Sequence, residues 1–158
     1  MEKSCNISRR KFLELFGYSC CGMFMTSCAT VPITERKQLT LYPESVLNRQ
    51  AARAYEKFKS KAKLIKSGSD LDNIIYVGER IQKAVNNFFF KKNLTDPTKN
   101  FSWEYVLVDN KKVKNAWCMP GGKIAVFSGM LEISKDNDGL ATILGHEIAH
   151  AVAKHSIE

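Results

Sequence analysis

Residues 144–158 read LGHEIAHAVAKHSIE. His146 and His150 stand four apart, and Glu147 follows the first of them. On an α-helix, four residues turn by about 40° and rise about 6 Å. Both imidazoles therefore face one way and can reach one metal ion at about 2.0–2.1 Å. Glu147 is turned about 100° from His146, so its carboxylate falls beside such an ion rather than on it. There it can take a proton from an attacking water and pass it to a leaving amine. This combination points to peptide hydrolysis assisted by one Zn²⁺ ion, with His146 and His150 as ligands and Glu147 as general base. Between Leu140 and Ala153 the only charged residue is Glu147. The helix is thus expected to be apolar nearly all round and buried. The competing reading is two hydrogen-bonded core histidines and a structural Glu147.

His155 is a poor third ligand. It lies nine residues after His146, on the opposite side of a helix. The metzincin arrangement puts its third histidine ten residues on, after a helix-ending glycine, and Ala153 occupies that glycine's position here.

The elements that must hold this helix follow from the patterning upstream. Pro43 suits the first turn of a helix. The stretch ESVLNRQAARAYEKFKSKAKLIK, residues 44–66, carries helix formers and spaced apolar residues up to Ser67-Gly68-Ser69. Asp70 is placed to cap a second helix. Its expected core stripe is Leu71, Ile74, Ile75, Gly78, Ile81, Val85, Phe88 and Phe89. Residues 91–100 read as a loop around Asp96-Pro97. From Phe101 the period changes to two: Phe101, Trp103, Tyr105 and Leu107 point one way, and Ser102, Glu104, Val106 and Val108 the other. VKNAWCM (113–119) and KIAVFS (123–128) read as two further strands around a tight Pro120-Gly121-Gly122 turn. A short helix from Gly129 to Ser134 comes next, and Asp136, Asn137 or Asp138 can cap the last one. The expected fold is α+β: two N-terminal helices, a small three-stranded sheet, antiparallel or mixed, and a long buried H-E-x-x-H helix.

Of the 158 residues, 44% are hydrophobic and 25% charged, ordinary for a globular protein. The net charge of +8 favours an anionic partner. However, Lys57, Lys59, Lys61, Lys63 and Lys66 read as the wet side of a helix, and no nucleic-acid partner is expected. Cys118 is the only cysteine outside the first 28 residues. It reads as a small packed side chain rather than a nucleophile, since no basic partner is evident.

Residues 1–27 read as an export signal. SRRKFLEL, from Ser8, resembles a twin-arginine signal, with Glu14 where lysine is usual. The weakly apolar stretch from Leu15 to Met25 is shorter than the roughly 20 residues that span a bilayer. MTSC, ending at Cys28, resembles a lipobox, which makes Cys28 the lipid-bearing residue and the membrane a partner through that lipid. Residues 28–43 then form a lipidated tether, and Ala29 resembles an outer-membrane sorting signal. The expected place is the bacterial envelope, facing the periplasm and held at the outer membrane.

NAWCMPGGKIAVFSGML, followed by LATILGHEIAHAVAKHS, is similar to metallopeptidase family forty-eight. TVPITERKQLTL, from Thr30, resembles the mature start of its bacterial lipoprotein branch. The resemblance implies a gluzincin-like fold, with residues 44–158 as the N-terminal part of a metallopeptidase domain. It implies zinc-dependent endopeptidase activity on proteins or peptides, in envelope protein quality control. It also implies that the strand around Asn115 and Ala116 pairs with substrate backbone. In the family the third ligand is a glutamate on a later helix, which this chain lacks; Glu158 is not that residue. Completion by a further C-terminal segment or another chain is therefore expected. The alternative is a non-catalytic peptide-binding lipoprotein or an inactive protease fragment.

Overall fold

The computed structural model describes residues 28–30, 37–39 and 43–153. Two pieces of the expected tether, β1 (Cys28–Thr30) and β2 (Lys37–Leu39), pair antiparallel, Cys28 opposite Leu39. The twin-arginine stretch, His155 and Glu158 lie outside the described residues, as does the side chain of Cys28.

The first helix, α1 (Glu44–Lys59), is shorter than its composition suggested. Pro43 is its N-cap rather than its first-turn residue, and its carbonyl accepts from Val46 N at 2.9 Å. The chain then leaves the helix, and Leu64–Ile65 become the strand β3. Lysine-rich helix formers continue through this stretch, but Leu64 and Ile65 find apolar partners only across a ladder, opposite Val108 and Leu107. Tertiary pairing overrides local propensity there. The sheet accordingly has four strands, one more than expected.

Helix α2 (Ser69–Lys91) is capped at Gly68, not Asp70, which sits in the first turn beside the helix's positive end. Ile74, Val77, Gly78 and Phe89 are buried. Phe88 departs from the expected core stripe and is 43% exposed. Strands β4 (Glu104–Val108), β5 (Ala116–Met119) and β6 (Lys123–Phe127) complete a mixed sheet in the order β3-β4-β6-β5. The β4–β6 pairing is parallel; the other two are antiparallel. Helices α3 (Ser128–Ser134) and α4 (Asn137–Val152) follow. Among the described residues the fold is thus α+β with four helices, and no helix is long and apolar enough to cross a membrane.

The sheet is packed on both faces, which the period-two pattern requires. On one face α1 sets Tyr55 and Phe58 edge-on against Trp117, and Phe58 also against Phe127. The Tyr55 hydroxyl donates to Ile124 O at 2.8 Å, tying the helix to the sheet backbone. On the other face, Leu107, Ala116, Ile124 and Val126 join Ile74, Val77 and Phe89 of α2 and Leu140, Leu144 and Ile148 of α4 in one core. Gly78 admits the Tyr105 ring: a Cβ there would lie 2.3 Å from it.

Candidate metal and peptide site

Asp136 caps α4, its carboxylate accepting from Gly139 N at 2.8 Å. Of the three capping candidates, this one has the extended backbone a cap needs. The helix then lies against α2 and the edge strand β5. Leu140, Leu144, Ile148, Ala151 and Val152 are buried. His146, Ala149 and His150 are exposed, and Glu147 is half-buried. The expectation of a helix buried all round is therefore corrected. Among the described residues only α2, α3 and β5 pack closely on α4, and they cover one side of it.

That open side carries the two imidazoles. Their Nε2 atoms are 3.0 Å apart, and the rings stand edge to face at 89° with centroids 4.5 Å apart. They are not buried core histidines. Two nitrogens, each about 2.05 Å from a tetrahedral ion, would be about 3.3 Å apart. The observed pair is within about 0.3 Å of that spacing, so these side chains suit a shared zinc ion. Among the described residues no group of three His, Cys, Asp or Glu converges on one point. Among the described residues the pair would supply two of the three protein ligands of a catalytic zinc site.

Strand β5 forms one border of the sheet. Phe127 N donates to Asn115 O at 3.1 Å, which turns the Asn115 peptide inward toward β6. Peptide groups alternate in direction along a strand. Those of Ala116 and Cys118 thus point to the outer edge, where no described strand pairs with them. The turn that sets this strand is Met119-Pro120-Gly121-Gly122, closed by Gly122 N donating to Met119 O at 3.2 Å. Gly121 has φ 81° and Gly122 φ 78°, which other residues adopt only with strain. Gly121 O and Gly122 O then accept from Ser102 N and Glu104 N, both at 3.0 Å, so the turn is clamped to the start of β4.

Cys118 faces α4, and burial together with the Glu147 carboxylate pushes its thiol up to about 12. It donates weakly to Met119 O at 3.6 Å. A protonated thiol of this kind is a packing group, as its lone place in the sequence suggested.

The model of peptidase family M48 matches residues 76–158, from within α2 through the histidine pair. The chain belongs to peptidase family M48. Relatives of this M48 chain include the mitochondrial metalloendopeptidase OMA1 of Schizosaccharomyces pombe, 29% identical over 152 residues, covering 94% of this chain and 42% of that protein. OMA1 of Arabidopsis thaliana is 48% identical over 64 residues, covering 40% of this chain and 13% of that protein. The metalloprotease YcaL of Escherichia coli is 40% identical over 43 residues, 27% of this chain and 16% of that protein. The M48 chain spans less than half the length of each of these relatives.

Proposed function

We propose that this M48 chain carries the metal-binding helix and the substrate-pairing edge of a zinc-dependent metalloendopeptidase. One observation supports this above the others: the Nε2 atoms of His146 and His150 converge to 3.0 Å on the open side of α4, the helix packed on an unpaired strand edge. His146 and His150 would hold the ion. A bound zinc ion supplies Lewis acidity and makes a water molecule more acidic. Glu147, one residue along the helix, receives the proton from the attacking water and returns it to the leaving amine. A peptide laid along β5 as an added strand would bond to the outward N–H and C=O of Ala116 and Cys118. Asn115, whose carbonyl is taken by Phe127, would act by setting that strand rather than by pairing.

The finer reading rests on sequence. Cys28 in MTSC is the proposed lipid site, after an export signal over residues 1–27 and before a tether over residues 28–43. That would place residues 44–158, the peptidase portion, at the bacterial envelope facing the periplasm, at the outer membrane, with envelope proteins as substrates. Zinc content and cleavage of fluorogenic casein by the lipidated protein test the reading. Glu147→Gln should keep zinc and lose about 10²–10⁴-fold in rate. His146→Ala with His150→Ala should lose zinc. Unchanged zinc content in that double variant would sink the proposal.

A second reading, peptide capture without hydrolysis, draws on the two-ligand set among the described residues. It predicts peptide binding that survives chelation, with no cleavage at any zinc concentration.

A further inference from the structure

A groove of about 630 Å³ lies on the far side of α2 from the histidine helix. None of its lining residues belongs to α4 or β5. Its size falls within the roughly 300–1,000 Å³ of small-molecule sites. Three aromatic rings border it: Phe90, Phe101 and Trp103. Phe90 is 85% exposed, on a helix whose neighbouring Phe89 is buried. Phe101 and Trp103 stand 5.2 Å apart at 59°. The Trp103 indole rests on Gly122, where a Cβ would lie 2.8 Å from the ring. The platform is therefore held in place by backbone.

The polar lining groups are held by hydrogen bonds within the protein. Thr98, only 3% exposed, donates through both N and Oγ1 to Asp96 Oδ1, each at 2.7 Å. That leaves the other Asp96 oxygen for a ligand. The Asn86 side chain reaches the same hydroxyl at 3.4 Å, which orients its amide. The Gln82 amide donates to the Tyr105 hydroxyl and keeps its oxygen available. One carboxylate and one ammonium, Asp96 and Lys99, leave the lining without net formal charge.

Ring faces flanked by amides and a carboxylate, with no net charge, suit a ligand with flat apolar C–H faces and many hydroxyls. We infer that this groove binds a β-1,4-linked oligosaccharide, whose equatorial substituents expose such faces for stacking on Phe90 and Trp103. The amides of Asn86 and Gln82 and the free Asp96 oxygen bond its hydroxyl or acetamido groups. The site is independent of the metal site, and its test does not depend on proteolysis.

Titration calorimetry of the whole protein with tetra-N-acetylchitotetraose and with cellotetraose is the experiment. At least one should bind with a dissociation constant on the order of 0.1–1 mM. Phe90→Ala and Asn86→Ala, both at exposed positions, should each weaken it by roughly tenfold while the melting temperature holds. The chain has two tryptophans, so in Trp117→Phe the emission of Trp103 alone should shift on adding saccharide. No heat with either saccharide at about ten times that concentration overturns the inference. So does saccharide binding that Phe90→Ala and Asn86→Ala leave unchanged, or a groove that takes extended peptides and no saccharide.

Discussion

Glutamine at position 104 would keep the side chain's shape and remove its charge. Glu104 Oε2 receives Lys123 Nζ at 3.2 Å, and Oε1 receives Lys59. The Lys123 side chain is 10% exposed, Lys59 19% and Glu104 34%. In Glu104→Gln, Lys59 still has Glu56 Oε1 at 2.7 Å, whereas Lys123 keeps Ser102 O at 2.6 Å and Ser102 Oγ at 3.4 Å but loses its carboxylate counter-charge. Breaking a fully buried pair costs about 3–5 kcal/mol, whereas exposed pairs contribute about 0–1 kcal/mol. This network lies between those limits, so the expected loss is about 2 kcal/mol. For a chain of this size that lowers Tm by about 4–8 °C. Burial raises the Glu104 pKa, but the hydrogen bonds from Lys59 and Lys123 lower it by more, and it ends below the ordinary range. A carboxyl depressed in the folded state stabilises above its unfolded pKa of about 4.3, and that stability is lost as pH falls through the folded value. Circular-dichroism melts of wild type and Glu104→Gln should therefore differ at pH 7 and converge as pH falls below about 4.3 and through the depressed folded value. Adding Lys123→Met should restore most of the loss, because the stranded charge goes too. A Glu104→Gln melt within about 1 °C of wild type at pH 7, or a gap that widens in acid, would refute the reasoning.

Two further outcomes follow from β5. With its pKa at about 12, Cys118 should be alkylated at pH 8 at least about 100-fold more slowly in the folded protein than after denaturation, read by mass spectrometry of the peptide that contains it. Equal rates would contradict its burial. Ala116→Pro removes an N–H that points to the open edge, whereas Trp117→Pro removes one paired with β6. The first should melt closer to wild type than the second, while losing about tenfold in affinity for an extended peptide.

What was legible in the sequence was mostly local. The Asp136 cap, the period-two pattern before Val108 and the Pro120-Gly121-Gly122 turn depend on neighbours in the chain, and each is present. Strand β3 was hidden because Leu64 and Ile65 follow a lysine-rich helical run, and their ladder partners lie more than 40 residues away. Phe88 continues the α2 stripe in sequence, so its exposure is not legible there. Near the helix's end, only Phe89 of the adjacent pair turns under the sheet. The exposure of one side of α4 is hidden from the sequence for a related reason. Apolar residues all round it describe what the helix could bury, not which elements are there to cover it.

The relation between α4 and β5 is a matter of parity. Along a strand, side-chain direction and peptide direction both alternate with period two. Ala116 and Cys118 send their side chains toward α4, and those same two residues turn their peptide groups to the open edge. Residues opposed across a ladder share a face, so a strand added there would place the side chains opposite Ala116 and Cys118 on the α4 side as well. Its backbone would then run beside the histidine helix in a register fixed by bonds to Ala116 and Cys118. A slip of one residue would turn the added strand's faces over. The Asn115 carbonyl held by Phe127 and the turn clamped to β4 fix β5 at both ends, and with it the position of the edge groups that would set that register. On the proposed reading, the two-glycine turn therefore acts on the chemistry at a distance, by fixing which carbonyl of a bound peptide comes to rest beside His146 and Glu147.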